Sequence, residues 1–181
     1  MKNVKNLALC GVLIALALAL SYTERFLPLQ LVIPLPGVKL GLANIVTLVA
    51  LYRLKPKHAL AILVPRCILG AVFGGGITGL MFSLTGGLLA LATMTLAKHW
   101  DIFSIYGVSI LGAAAHHVGQ IGAAMVLMNS VYVAAYLPWL LLAGLVTGLL
   151  TGAVGAGVLK GLRVYHRFPE GSEINTRRKQ L

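Results

Sequence analysis

Pro36-Gly37-Val38-Lys39-Leu40-Gly41-Leu42-Ala43-Asn44-Ile45-Val46-Thr47 opens an apolar run that continues to Leu54. It carries a lysine, an asparagine and two glycines where uninterrupted aliphatic side chains would be expected of a lipid-facing segment. Polar and ionisable groups inside a bilayer are costly unless they face protein, water or a ligand. The rest of the chain decides whether a bilayer is the right setting. Of its 181 residues 59% are hydrophobic and 10% charged, whereas soluble domains carry about a quarter charged residues. The composition is that of an integral membrane protein.

The net charge of +11 does not point to nucleic acid, because most Lys and Arg sit in short hydrophilic segments beside apolar runs, where basic residues set membrane orientation. Cys10 and Cys67 fall within apolar segments without CxxC spacing, so neither a disulfide nor a metal pair is expected.

Six apolar runs follow one another. The first, Leu7–Ser21, is preceded by Lys2 and Lys5. A signal peptide cleaved at Ala15–Ala17 or Ala17–Ala19 is the alternative, but the polar Ser21-Tyr22-Thr23-Glu24-Arg25 and further spans downstream favour a first transmembrane helix. Gly11, Ala15 and Ala19 recur every fourth residue, a small-residue face suited to close helix approach, either within the protein or with a partner subunit. Thr23–Pro36 is a connection stiffened by Pro28, Pro34 and Pro36. Further spans are expected at about Val38–Leu54, Ala59–Phe73, Ile77–Ala97, Ile105–Met128 and Ala134–Leu162. The third contains Pro65-Arg66 and ends at Gly74-Gly75-Gly76, and the fourth carries an interruption at Thr85-Gly86-Gly87.

Basic residues cluster at the N-terminus, after spans two and four, and in the tail, which places both termini in the cytoplasm by the positive-inside rule. The expected fold is all-α integral membrane, with a six-helix domain over 1–164 and a flexible basic cytoplasmic tail over 165–181.

Only four acids are present: Glu24, Asp101, Glu170 and Glu173. No DDxxD-type cluster exists to hold the magnesium ions of diphosphate chemistry, and no GxxxxGK[ST] loop to bind ATP. A self-sufficient enzyme is not expected, and neither a cofactor nor a metal is called for. What remains is a set of polar residues at membrane depth. Lys39 is either an interfacial lysine snorkelling to water or an anion contact. Asn44, read as one turn below Gly41 on a small-residue face, either bonds a neighbouring helix or reads a ligand. Arg66 needs a partner or a wet cavity; a ligand role is favoured, with ion pairing to Glu24 the rival. His116 and His117 point about 100° apart on a helix, so they cannot easily share a metal, while His116 and Gln120 share a face. Together Arg25, Lys39, Arg66 and the histidines make a cationic-to-neutral interior with little acid, suited to an anionic or polar headgroup.

The PGVKLGLANIVTL stretch resembles the signature of a bacterial membrane family labelled both heptaprenyl diphosphate synthase component I and Gx transporter, itself similar to the substrate-binding S components of energy-coupling factor (ECF) transporters. The resemblance covers roughly Leu7 to Leu162. It implies a six-helix bundle in the bacterial cytoplasmic (inner) membrane with an outward-opening pocket. Gly11, Ala15 and Ala19 would meet a T subunit, with ATPases on separate chains. The substrate would be a small, anionic or isoprenoid- or redox-related molecule; of the residues expected to bind it, Lys39 and Asn44 lie in the family stretch, while Glu24, Arg25, Arg66, His116, His117 and Gln120 are chosen from their own chemistry. The synthase label implies instead a non-catalytic accessory to a soluble prenyltransferase in heptaprenyl diphosphate or menaquinone side-chain synthesis, and the company of relatives suggests flavin- or quinone-linked electron transfer.

Overall fold

The computed structural model describes residues 2–26, 39–100 and 102–167, with no strand among them. The order is α1 (Lys2–Thr23), a 3-10 turn (Glu24–Phe26), α2 (Asn44–Arg53), α3 (Pro56–Gly70), α4 (Gly76–His99), α5 (Ile105–Met128), a second 3-10 segment (Val131–Tyr136) and α6 (Leu137–Arg167). Among the described residues, three helical stretches are long and apolar enough to cross a membrane: 56–99, 105–128 and 131–162. The first of these folds back on itself. Phe73 and Gly74 leave the helical region, Gly74 and Gly76 take φ of 102° and 62°, and Leu63 of α3 comes to lie against Gly87 of α4. Glycine accepts such φ values without a side-chain clash.

Two expectations need correction. The span read as Val38–Leu54 is helical only from Asn44, which at about 1.5 Å per residue gives about 15 Å, half a bilayer core. The cause is Gly41, whose φ of 84° sets a turn in which its carbonyl accepts the N–H of Asn44 at 2.8 Å. Gly41 and Asn44 therefore do not share a helical face. Nor is α4 interrupted at Thr85-Gly86-Gly87: the helix runs through, and the Thr85 hydroxyl donates to the Met81 carbonyl at 2.7 Å. Pro65 is likewise carried inside α3, and the break comes only at 71–75. By contrast, α5 occupies Ile105–Met128 as read from the sequence, with Ser104 capping its first turn. The prolines at 28, 34 and 36 and most of the expected tail lie outside the described residues.

Small residues bring α4, α5 and α6 together as antiparallel neighbours. A Cβ on Gly119 would stand 2.8 Å from the Gly86 Cα, and one on Gly148 would stand 2.7 Å from the Ile110 Cα. These are backbone-to-backbone approaches that only glycine permits, the usual way of packing helices where lipid removes the hydrophobic driving force. The main core gathers α1–α5 around Leu48, Leu51, Ile62, Leu63 and Met94. Trp139, Leu142, Leu145, Val146 and Leu150 are exposed along α6, an apolar surface of the size and continuity that a bilayer covers.

Candidate functional site

One face of α4 organises the polar interior. Ser83, Gly86 and Gly87 share it, at helical spacings of three and four, and all three are buried. Lys39, from the turn ahead of α2, donates through Nζ to Ser83 Oγ at 2.8 Å. His116 of α5 sits on Gly86, where a Cβ would approach its Nδ1 to 2.8 Å. Arg66 of α3 passes Gly87, where a Cβ would stand 3.5 Å from Nη2. The two adjacent glycines are the floor on which an imidazole and a guanidinium rest.

Gly41 closes the site from the other side. A Cβ there would meet Asn44 Nδ2 at 2.9 Å and His116 Cδ2 at 3.0 Å, so Asn44 and His116 converge on this one residue. The next backbone N–H, that of Leu42, donates to the carboxylate of Glu24. Glu24 is buried and lies beyond the end of α1; burial pushes its carboxyl up to about 6, opposed by the Leu42 N–H, the charges of Lys39 and Arg66, and the Gly41 N–H. Arg66 donates through Nη1 to Ser21 Oγ at 3.3 Å and acts on Glu24 through its charge.

Hydrogen-bonding capacity is left over in this cluster. Asn44 Oδ1, Thr47 Oγ1 and Arg66 Nε are buried without a partner, on residues no more than 6% exposed. A buried polar group without a partner costs roughly 1–3 kcal/mol, and lipid offers none. Sites with convergent, unspent polar groups are where ligands bind.

Gln120 links the two histidines. Its Nε2 donates to His116 Nε2 at 3.1 Å, and its Oε1 lies 3.4 Å from His117 Nδ1. An amide nitrogen only donates and an amide oxygen only accepts, so this orientation sets the proton of His116 on Nδ1 and that of His117 also on Nδ1. The rings stand 5.8 Å apart at 70°. His117 turns away from the cluster to Gly144 of α6, where a Cβ would touch its Cδ2 at 2.8 Å. The expected set therefore divides: Glu24, Lys39, Asn44, Arg66, His116 and Gln120 are brought together, and His117 faces the α5–α6 seam. The side chain of Arg25 lies outside the described residues. Among the described residues no three of His, Cys, Asp and Glu gather as for a metal ion, and Cys10 and Cys67 are both free and buried.

Gly11, Ala15 and Ala19 are exposed on α1. Ala15 and Ala19 line a cleft of ≈ 570 Å³ with Leu18, Ser21, Gly70 and Lys39, so the small-residue face abuts the polar cluster. A second groove, of ≈ 690 Å³, lies apart from the cluster, between Leu51, Pro56 and the Thr95–His99 end of α4. Ser21, Ser83, Thr47 and the Gly86–Gly87 floor escape sequence reasoning, since small hydroxyls and glycines are ordinary in apolar helices. The spacing Ser83–Gly86–Gly87 was the available signal.

The model of the heptaprenyl diphosphate synthase component I family matches residues 13–158. The chain belongs to this family. Neither a curated protein nor a solved structure matches the chain. The family description makes it a membrane component related to heptaprenyl diphosphate synthase, and "component I" carries the expectation of a partner synthase subunit.

Proposed function

We propose that this family member is a membrane-embedded binding subunit, similar in role to an ECF S component, that holds the anionic or polar head of a small molecule and does no chemistry itself. The observation that carries the reading is the pairing of Arg66 and Asn44, both buried and both with an unspent polar atom, beside Lys39. An arginine at such depth is expensive unless a ligand or cavity uses it. Six crossings with both termini in the bacterial cytoplasm follow from the basic loops, with the short α2 completed by the irregular segment before it; such backbone is tolerated at membrane depth when it lines a cavity. The exposed Gly11, Ala15 and Ala19 would then be available to a T subunit, with ATPases on separate chains. Native mass spectrometry of gently purified protein tests this. Arg66→Ala and Asn44→Ala should empty the protein of its retained small molecule while it stays folded; retention unchanged in both would sink the reading.

A second reading is favoured by the family description: a non-catalytic companion of a soluble prenyltransferase, binding an isoprenoid diphosphate with the same residues. With one buried acid in the described cluster, magnesium-assisted condensation would have to occur on the partner. Co-purification separates the two, a T subunit with ATPases supporting the first and a carboxylate-rich prenyltransferase the second.

A further inference from the structure

We propose that the Glu24 carboxylate is a built-in stand-in for the ligand: it occupies an anion subsite made by the backbone N–H groups of Gly41 and Leu42 with Lys39 and Arg66, and it leaves those donors when a phosphate or diphosphate group binds. The inference rests on reading the cluster as a binding site and adds what binds there and what must move. The N–H of Leu42 donates to Glu24 Oε1, and the N–H of Gly41 also acts on the carboxylate. Gly41, at φ 84°, bends the chain so that successive N–H groups face inward just ahead of the N-terminus of α2. Consecutive amides in such a turn form a concave anion receptor, and the start of a helix adds to it.

A carboxylate whose sole task was to pin this turn would use what surrounds it. It does not. Arg66, 5% exposed, keeps Nε without an acceptor while its Nη1 goes to a serine. Among the described residues, the charges that act on Glu24 are those of Lys39 and Arg66, both of the sign that draws an anion. A phosphate carries about −1.5 to −2 with three acceptor oxygens. It matches both cations and both N–H groups with an oxygen to spare for Arg66 Nε, which a single carboxylate leaves unserved. A guanidinium with a free edge is also the group best shaped for such an oxyanion. Glu24 and the incoming group cannot share the donors, since two anions at one set of N–H groups repel. Binding is therefore an exchange.

The test is titration of inorganic pyrophosphate into the purified full-length protein in nanodiscs, followed by calorimetry, for wild type, Glu24→Gln, Glu24→Asp and Arg66→Gln. Glu24→Gln keeps the side-chain volume and removes the competing charge, so its dissociation constant should fall at least tenfold below wild type. Glu24→Asp, which draws the carboxylate back by one methylene, should gain several-fold, and it decides the matter if the glutamine variant does not fold. Equal or weaker binding in a folded Glu24→Gln variant would overturn the proposal. If wild type binds pyrophosphate, Arg66→Gln abolishes it and Glu24→Gln leaves it unmoved, the stand-in anion falls while the binding site survives. Absence of binding in every variant sinks both.

Discussion

Polar side chains occur in two places in this bundle, and they are treated in opposite ways. Along the α5–α6 seam the buried serine and threonine hydroxyls are spent, and His117 Nε2 is the one buried polar atom there without a partner among the described residues. Ser109 Oγ and Thr151 Oγ1 lie 2.7 Å apart, Thr151 also donates to the Gly148 carbonyl, and Thr147 donates to that of Gly144. Around α2, α3 and the start of the site, Asn44, Thr47 and Arg66 keep unspent atoms at equal burial. Thr47 shows the contrast most plainly. Thr23, Thr85, Thr95, Thr147 and Thr151 each return their hydroxyl to a carbonyl three or four residues back, the habit of threonine in apolar helices. Thr47, 1% exposed, does not. Burial of a polar residue thus does not mark a site; several open valences gathered in one cluster do.

The sharpest way to break this comparison is to disturb each region and ask whether stability or binding responds. Gly148→Leu should cost the most, about 3 kcal/mol of unfolding free energy, because the first added carbon already meets Ile110 Cα and neither backbone can retreat. Ligand affinity in whatever fraction stays folded should be unchanged. Arg66→Met should behave in the reverse way. Removing one charged donor from an anion should weaken pyrophosphate binding about 10- to 100-fold, whereas thermal unfolding should move by less than about 1 kcal/mol, since the variant also removes an N–H that the fold leaves unsatisfied. A large loss of stability in Arg66→Met with binding intact would assign Arg66 to the scaffold and erase the distinction.

How much of this was legible beforehand follows the same division. Arg66, Asn44, His116 and Gln120 announce themselves as polar residues in apolar runs, and α5 as a run bounded by polar connections. The short α2 was not legible, because it depends on Gly41 taking a positive φ, and a glycine in a helical pattern reads equally as a packing residue. The Thr85-Gly86-Gly87 triplet reads as a break for the same reason, although its glycines are there to seat His116 and Arg66. In the sequence Glu24 reads only as a charge, a ligand contact or a mate for Arg66; that its partner is a backbone N–H eighteen residues on is a long-range fact that no local pattern carries.

Glu24 gives the site a pH signature of its own. Its carboxyl is raised from 4.5 to about 6, so between those values the folded protein holds a proton that the unfolded chain has released. Stability then falls as pH rises through this window and is level above it, with a total of about 2 kcal/mol for a shift of this size. The charged groups facing it are Lys39 from the turn and Arg66 from α3. Unfolding measured from pH 4 to 7 should show the fall in wild type and not in Glu24→Gln, and the difference between the two cancels any titrating histidine. A fall of equal size in both would detach the signature from Glu24.

The smallest effects test the contrast at single hydroxyls. Ser109→Ala should destabilise by about 0.6 kcal/mol, the typical worth of an interhelical hydrogen bond in a membrane protein, since Thr151 loses its partner on α5 but keeps the Gly148 carbonyl. Thr47→Val removes a hydroxyl that bonds nothing and replaces it with a methyl of like shape, so it should stabilise by a comparable amount, up to about 1 kcal/mol. The signs matter more than the sizes. Two buried hydroxyls in one bundle, each lost alone, should move the unfolding free energy in opposite directions, because one is hydrogen-bonded across the seam and the other bonds nothing. If Thr47→Val destabilised as Ser109→Ala does, Thr47 would have a partner in the folded protein after all, and the open valences around Asn44 and Arg66 would lose their closest companion.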